Sequence, residues 1–432
     1  MTVRRIVRGE IVTFAAADRC VHVPKGALAI DAAGRIAWVG AWSRLPAAMR
    51  RAPVDDYGDR LVLPGLIDAH IHFPQYRILA APGKDLLDWL HRFTFPEEAR
   101  FGRRTVAAPA AETFLRTLWA NGTTAALVFC SSHKLCADVL FTEAARHDMA
   151  IVTGKTMMDR NAIPAIEDTP EESARNSEAL LRKWHGRGRA RYAITPRFAI
   201  TSTEAQLRLA GELLRDHPDA LMQTHLSESR LEIETVRRLF PNDRDYVSVY
   251  DRFGLLSRTS LFAHAVHLSE PECARLHETG SSVVHCPTSN TFLGSGLFNL
   301  AHLADPRRPV PVGIATDVGG GTSYSMLATL GESYKVAMLN GIRPSAVELF
   351  HRATRGNAAL LGIAGETGSL EPGCYADVVV LDPEATDVLA RRHALSQSLE
   401  DVLFALALLG DDRAIAATYV AGKRVHRRSR RP

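Results

Sequence analysis

Short apolar runs recur through the middle of the chain and alternate with stretches of helical spacing. Eight runs have the length of strands, at 66–72, 123–129, 150–158, 191–199, 220–228, 260–268, 281–286 and 310–317. Helical spacing of apolar residues lies at 107–120, 170–185, 203–217, 228–239 and 344–361. Eight parallel strands, each followed by a crossover helix, build a closed barrel. The pattern therefore predicts an α/β fold with a (β/α)8 or TIM barrel.

The two ends of the chain have a different pattern, in which short β-rich pieces alternate with turns. Residues 1–62 alternate short β-rich pieces with turn signals, and the turn at 31–34 is typical of a hairpin. Similar β-rich pieces return at 365–382 and 414–425. We expect residues 1–62 and 366–432 to form one small β-sandwich domain beside a barrel domain of residues 63–365. The 432 residues exceed what one hydrophobic core usually organises, which favours two domains.

Ionisable residues stand where the predicted barrel strands end, the place where barrel enzymes carry their chemistry. His70 and His72 close the first run, and because side chains alternate along a strand, both imidazoles leave the same face. The other such residues are Arg197 and Phe198 in the fourth run, His225 and Glu228 in the fifth, His264 in the sixth and Asp317 in the eighth. Packing alone does not explain ionisable groups at so many strand ends.

Three imidazoles and one carboxylate are a ligand set typical of a divalent ion resembling zinc or iron. The candidate ligands are His70, His72, His225 and Asp317. Such an ion keeps one position for water and lowers the pKa of that water from about 15.7 to about 7. Glu228, three residues after His225, is a candidate proton shuttle. His264 is ambiguous with its neighbour His267, and we prefer His264 as the site residue.

Single residues of this set have plainer explanations when they are taken one at a time. His225 also fits a hydrogen-bonded core histidine, and Asp317 also fits a helix cap before the glycines that follow it. Their joint placement on separate strand ends favours the metal site. Lys155 lies near the end of the third run, and its place on that strand argues against a lysine that bridges two metals. We therefore expect one ion per subunit.

The charge of the chain is unevenly distributed. The formal net charge is +4, but six basic residues lie in the last ten: Lys423, Arg424, Arg427, Arg428, Arg430 and Arg431. The rest of the chain has 46 basic and 48 acidic residues. No aromatic residues are interspersed in the basic segment, so we interpret it as a solvated tail and expect no nucleic-acid partner.

Composition also bears on the cellular location. The six cysteines (Cys20, Cys130, Cys136, Cys273, Cys286 and Cys374) are scattered without paired spacing, which favours reduced thiols. The first residues lack an uninterrupted apolar core of a signal peptide, and no segment approaches the roughly 18 apolar residues of a membrane span. We expect a cytoplasmic protein with no membrane partner.

Several motifs resemble the amidohydrolase superfamily and, more narrowly, its guanine deaminases. The segment Pro-Gly-Leu-Ile-Asp-Ala-His-Ile-His, which ends at His72, is typical of the superfamily. The narrower resemblance rests on Phe73-Pro-Gln75, Leu86-Leu-Asp-Trp-Leu90, Phe93-Thr-Phe-Pro-Glu97, Pro196-Arg-Phe-Ala199, Thr224-His-Leu-Ser-Glu228, Cys286-Pro-Thr-Ser-Asn290 and the stretch 316–326. These motifs span most of the predicted barrel.

The resemblance implies hydrolytic deamination of guanine to xanthine and ammonia, within purine catabolism or salvage. It implies one divalent ion per subunit, Zn²⁺ with Fe²⁺ as the alternative, and a homodimer that acts on a small purine. Glu228, His264 and Asp317 would be the catalytic residues. The purine pocket would be lined by Gln75, Trp89, Leu90, Arg197 and Phe198. Trp89 and Leu90 are equally compatible with ordinary packing under a loop.

Two alternatives stay open at the level of sequence. A related amidohydrolase could deaminate or dehalogenate another heteroaromatic ring, such as 8-oxoguanine, a pterin or a triazine, because one or two pocket changes retune such a site. A catalytically silent relative would be a protein of another class. The second alternative is disfavoured because every ligand and shuttle position is filled.

Overall fold

A computed structural model describes residues 2–429, and a parallel barrel forms its centre. The barrel strands are Leu66–His72, Thr123–Phe129, Ala150–Gly154, Ala190–Pro196, Leu221–Leu226, Ser260–His264, Ser282–His285 and Val312–Ile314. A short strand, Thr156–Met157, pairs with the fourth of them. Backbone amides link the two ends of the row, since Asp317 donates to the His70 carbonyl at 2.9 Å and His72 donates to the Val318 carbonyl. The predicted TIM barrel is confirmed.

Most helices lie in the connections between the barrel strands, and others follow the eighth strand or connect strands of the second sheet. The longer α-helices of the described chain are Arg104–Ala120, Lys134–Arg146, Pro170–Trp184, Glu204–Asp216, Arg230–Leu239, Tyr246–Arg252, Glu270–Thr279, Met326–Leu339, Asp387–His393 and Leu399–Leu409. Shorter α-helices are Leu86–Trp89, Phe95–Ala99, Pro287–Phe292, Leu300–Leu303, Ala346–His351 and Asn357–Leu360. Five-residue π-helical turns follow Trp89 and His351. The apolar faces of these helices and the outer side of the strands form the main hydrophobic core.

Strands from both ends of the chain form a second sheet, separate from the barrel. Its strands are Val3–Ala16, Arg19–Asp31, Ile36–Ala41, Val54–Pro64, Val378–Leu381, Ile415–Val420 and Lys423–Arg427. They are connected in one hydrogen-bonded order, in which Val54–Pro64 joins the N-terminal strands to the C-terminal ones. Apolar side chains from both halves, including Val7, Leu28, Val380 and Tyr419, meet in one buried cluster. The meeting of the two chain ends in one β unit is confirmed.

The basic C-terminal segment is not a free tail where the structure describes it. Lys423–Arg427 is a strand that pairs with Ile415–Val420. Its charges find acidic partners, since Lys423 bonds Asp148 at 2.7 Å and Arg424 bonds Asp55 at 3.0 Å. These residues are therefore not a free tail, because they form an edge strand, although Lys423 and Arg424 stay exposed to solvent as expected. Arg430 and Arg431 lie outside the described residues.

Candidate metal centre and active-site cavity

A cavity opens at the C-terminal end of the barrel strands. Its lining residues are His72, Gln75, Leu86, Trp89, Leu90, Arg197, Phe198, His225, Glu228, His264, Leu293, Asp317 and Gly320. Ten of the eleven site residues predicted from sequence are among them. The eleventh, His70, lies directly beside the wall, with its Nε2 3.2 Å from Nε2 of His72. The structure therefore brings all the predicted residues to one place.

The four candidate metal ligands direct their donor atoms at a common point. Nε2 of His72 lies 3.2 Å from Nε2 of His70 and 3.3 Å from Nε2 of His225. Oδ1 of Asp317 lies 3.3 Å from Nε2 of both His70 and His72. Ligands at about 2.0–2.1 Å from a tetrahedral zinc ion are separated by about 3.3 Å. The donor set and its spacing fit a divalent ion of this kind.

The protonation state of the cluster also suits a metal. Burial lowers the pKa of His72 to about 4 and that of His225 well below its ordinary value, so both imidazoles keep a free lone pair at neutral pH. Burial alone would raise the pKa of Asp317, but its contacts with His70 and His72 outweigh burial and lower that pKa. Neutral imidazoles beside an ionised carboxylate are the form in which such residues bind a cation.

Neighbouring groups fix the orientation of the imidazole rings. Nδ1 of His225 lies 2.7 Å from the Arg197 carbonyl oxygen, which makes Nδ1 the donor and leaves Nε2 for a metal. Phe129, the last residue of the second barrel strand, packs against the rings of His70, His72 and His225 at 4.7–5.0 Å between centroids. The three imidazole rings therefore pack against an apolar side chain, which restricts their rotation.

Asp68 ties the first barrel strand to the last. Its carboxylate accepts hydrogen bonds from the Thr316 hydroxyl at 2.5 Å, the Thr316 amide at 3.1 Å and the His70 amide at 3.3 Å. These bonds hold the strand end that carries His70 against the segment that carries Asp317. Two ligands that are far apart in sequence thereby keep a fixed separation.

Left-handed backbone conformations occur at the site. The φ angles are 71° at His264 and 51° at Asp317, a region that costs residues other than glycine about 1–3 kcal/mol and recurs at functional sites. Gly320 follows in the same loop, and a Cβ atom there would lie only 3.2 Å from Oδ2 of Asp317. The loop after the eighth strand is shaped around that carboxylate.

Glu228 lies across the cavity from the histidine cluster. Its Oε2 is 3.5 Å from Nε2 of His264, and its Oε1 accepts a hydrogen bond from the Ser295 hydroxyl at 3.0 Å. Burial, reinforced by the nearby carboxylates of Glu232 and Asp317, raises the pKa of Glu228 well above its ordinary value. A buried carboxyl group with a raised pKa is suited to take up and release a proton.

The structure separates the two histidines that the sequence left in competition. Nε2 of His264 is 3.9 Å from Oδ2 of Asp317, while its Nδ1 contacts the Asn290 side chain at 3.0 Å. Nε2 of His267 instead contacts the Ser295 carbonyl at 2.7 Å, and His267 does not line the cavity. His264 is the one that lines the cavity.

The other half of the cavity combines apolar walls with polar donors. Trp89, Leu90 and Phe198 are almost fully buried there. Within the described residues, the indole Nε1 of Trp89 is buried and has no hydrogen-bond partner, so it is a donor available to a ligand. Gln75 and Arg197 supply an amide and a guanidinium beside these walls. A flat heteroaromatic ring with polar edges matches this lining.

Several residues at the site were not found by sequence reasoning. Leu86, Leu293 and Gly320 complete the cavity wall, and Glu98, Asn290 and Ser295 bond the predicted residues from behind. Cys286 belongs with His70, His264 and Asp317 to a second group of closely spaced donors. Burial raises the pKa of its thiol well above the ordinary value, so it is a neutral thiol and a poor ligand.

Lys155 is engaged away from the metal cluster. Its fully buried Nζ bonds Asp168 at 2.5 Å, the Ser173 hydroxyl at 2.8 Å and the Thr156 carbonyl at 3.1 Å. These contacts attach the segment after the third strand to the barrel. The structure gives this lysine a stabilising role.

Replacing Lys155 by Met should lower the free energy of unfolding by about 3 kcal/mol, because it leaves the Asp168 carboxylate without its buried partner. Denaturant titration measures this change. The metal content of the folded variant should equal that of the parent protein. A variant that folds well but has lost its metal would place Lys155 in the metal site.

Comparison with known proteins identifies the class of protein that this barrel and site define. Residues 61–425 match the amidohydrolase family, and the chain belongs to that family. The guanine deaminase of Escherichia coli strain K12 is 44% identical over 92% of this chain and 90% of its own length. The crystal structure of guanine deaminase from Bradyrhizobium japonicum superposes with a TM-score of 0.96 at 35% identity, covering 99% of this chain and 100% of that one.

A third relative was solved with a ligand. The guanine deaminase of C. acetobutylicum, crystallised with guanine bound in the active site, has a TM-score of 0.88 and 28% identity over 98% of this chain and 100% of its own. The resemblance to guanine deaminases that the motifs carried is confirmed.

Proposed function

We propose that this protein hydrolyses guanine to xanthine and ammonia. The proposal rests on one cavity. In it a metal-ligand cluster and a buried carboxyl group face apolar walls that suit a planar ring. The similarity to guanine deaminases over almost the whole chain, including one with guanine in its active site, supports the same reaction.

The amidohydrolase family is metal-dependent, and we propose one ion per subunit held by His70, His72, His225 and Asp317. We propose Zn²⁺ as the ion, with Fe²⁺ the other cation that this donor set suits. When bound, the ion supplies acidity, lowering the pKa of a coordinated water from about 15.7 to about 7. The protein's own residues then have to position the ring and move protons.

Glu228 is the residue we assign to proton transfer. Its carboxylate accepts a proton from the attacking water and donates it to N3 of the ring as oxygen bonds to C2. After the tetrahedral carbon has formed, the proton of its new hydroxyl group passes to the exocyclic amino group. The C2–N bond then breaks, ammonia leaves and C2 becomes the carbonyl of xanthine. Hydrogen, oxygen and nitrogen balance as guanine plus water to xanthine plus ammonia.

His264 and Asp317 hold the geometry of this transfer in the proposal. The Nε2 of His264 lies between the carboxylates of Glu228 and Asp317, at 3.5 Å and 3.9 Å. From there it can hydrogen-bond the attacking water and the oxygen that this water leaves on C2. The carboxylate of Asp317 orients the attacking water from the opposite side.

Recognition of the ring falls to the other half of the cavity. Arg197 can donate to the purine carbonyl, and Gln75 can donate and accept along a polar edge. Phe198, Trp89 and Leu90 supply apolar walls for the two ring faces. We propose that the ring binds with its carbonyl directed at Arg197 and its amino group at C2 directed at the metal cluster.

A substrate panel tests this function. Metal-replete protein should release ammonia rapidly from guanine and far more slowly from 8-oxoguanine, adenine, cytosine and a pterin. A triazine chloride extends the panel to halide release. A preference for another ring would contradict the assignment of the pocket residues but not that of the metal cluster. Absence of turnover on every ring, with metal bound, would contradict the proposed reaction.

The setting of the enzyme completes the proposal. We propose a homodimer in the cytoplasm that serves purine catabolism or salvage, as the resemblance implies. All six cysteines are free, which suits a reducing compartment. Among residues 2–429, none of the helices combines the length and the apolar character that crossing a bilayer requires. Light scattering on the purified protein determines the number of subunits. The division into residues 1–62 with 366–432 and 63–365 also stays a proposal.

A further inference from the structure

We propose that Glu98 is a positioning residue that fixes the donors of Arg197 and Gln75 and so makes the pocket selective for a neutral ring with a carbonyl group. The inference rests on the proposed function and extends it to the origin of substrate selectivity. Glu98 is fully buried on the helix Phe95–Ala99, and it does not line the cavity itself.

The carboxylate of Glu98 bonds both polar residues of the pocket. Nη1 of Arg197 donates to Oε1 at 2.9 Å and to Oε2 at 3.0 Å. Nε2 of Gln75 donates to the same Oε1 at 2.9 Å. One side chain behind the wall therefore connects the two groups that face the ring.

These bonds determine which way the Gln75 amide points. Its Oε1 accepts from the Gly319 amide at 3.2 Å, while its Nε2 donates to Glu98. A backbone N–H can only donate and an ionised carboxylate can only accept, so the amide has one satisfied orientation. One hydrogen on Nε2 and one lone pair on Oε1 remain for the ring.

Glu98 also compensates the charge of Arg197. Both side chains are buried, with relative exposures of 0% and 2%. A guanidinium without a partner in such a place would make the pocket attract anions. Arg197 and the carboxylate behind it form an ion pair without net charge. The guanidinium still offers directed N–H groups to the ring. A neutral ring that carries a carbonyl gains from these donors, whereas a ring without one leaves them unpaired.

Two unreactive ligands isolate this effect. Hypoxanthine keeps the purine carbonyl and lacks the amino group that reacts, and purine lacks both. Calorimetry on the metal-loaded protein gives the Kd of each. We expect the parent protein to bind hypoxanthine at least about 10-fold more tightly than purine, since a buried donor left unpaired costs that much. Glu98→Gln should bring this ratio close to 1.

Kinetics with guanine provide a second readout. Glu98→Gln should raise KM about 10- to 100-fold, the range for a lost hydrogen bond to a charged group, and lower kcat much less. Glu98→Asp keeps the charge but is one methylene shorter, so it should recover part of both the ratio and the KM. If Glu98→Gln does not fold, the ratio of Kd values and the KM of Glu98→Asp test the inference instead.

The adjacent Glu97 is a matched control. It lies on the same helix and bonds Arg77 at 2.9 Å and Arg100 at 2.7 Å, but it contacts neither pocket residue. Glu97→Gln should leave the ratio of the two Kd values and the KM for guanine close to those of the parent.

The outcomes separate this inference from the proposed function. A Glu98→Gln protein that folds and keeps the parental ratio of Kd values would overturn the inference. So would a parent protein that does not distinguish hypoxanthine from purine. Failure of the parent to convert guanine, with the ratio still sensitive to Glu98, would instead refute the proposed reaction.

Discussion

Glu228→Gln should lower kcat for guanine by about 10²–10⁴-fold, the range for losing a general acid–base group. The amide has nearly the shape of the carboxyl group, but it cannot take a proton from water and return it to the ring. Glu228 does not belong to the four-ligand cluster, so the variant should bind as much metal as the parent. Steady-state assays and elemental analysis of the same preparation measure both quantities.

Glu272→Gln is the control for this substitution. Glu272 is also a buried glutamate, but its carboxylate bonds the amide and hydroxyl of Ser269 at the start of a helix outside the cavity. The control should keep near-parental kcat even if its stability falls slightly. Near-parental turnover by Glu228→Gln with its metal intact would show that another group moves the proton.

His225→Ala should have the second large effect, loss of both the metal and the reaction. Removing one of three imidazoles takes away a ligand whose Nε2 is 3.3 Å from that of His72. We expect less than one ion per subunit and a fall in kcat of more than about 10³-fold, because the pKa of water returns toward about 15.7. The parent should contain one ion per subunit, and two tightly bound ions would contradict the single-metal proposal.

The effect of zinc on the Tm tests the assignment of His225 as a ligand independently of activity. A ligand that binds only the folded state stabilises it, so zinc should raise the Tm of metal-stripped parent protein. His225→Ala should lose that response. His285→Ala is the control, since His285 is buried at the end of the seventh strand, stacks on Phe298 and lies outside the cluster. It should keep the response to zinc, and a loss there would undermine the assignment of the ligands.

The strands of the barrel were predictable because their apolar runs are short and distinct. The first two observed strands match the predicted ranges 66–72 and 123–129. Later predicted runs extend too far, and the eighth observed strand is only Val312–Ile314. There the apolar sequence continues into the loop that carries Asp317, which is buried because it forms the site.

One helix was not predicted because apolar residues cover most of its surface. Met326–Leu339 is buried along much of its surface, since it packs against both the barrel and the helix Leu399–Leu409. A helix that is apolar on most sides shows no clear alternation of buried and exposed positions. The helices Lys134–Arg146 and Glu270–Thr279 were also absent from the predicted set.

The candidate site was predictable where residue type and strand position carried the signal. His70, His72, His225 and Asp317 stand at or just beyond strand ends, and the fold brings them together there. Glu98 gave no such signal, because its importance comes from contacts with residues 23 and 99 positions away. Contacts of that kind depend on the packing of the loop after the first strand, which periodicity does not describe.

In the proposed reaction, water bound in this cavity replaces the amino group of guanine. Guanine turnover in water enriched in ¹⁸O, followed by mass spectrometry of the product, tests it most directly. Metal-loaded protein should form xanthine with one ¹⁸O atom and release one ammonia per turnover, while metal-stripped protein should form almost none until the ion is restored. Loaded protein that leaves guanine unchanged would contradict the account.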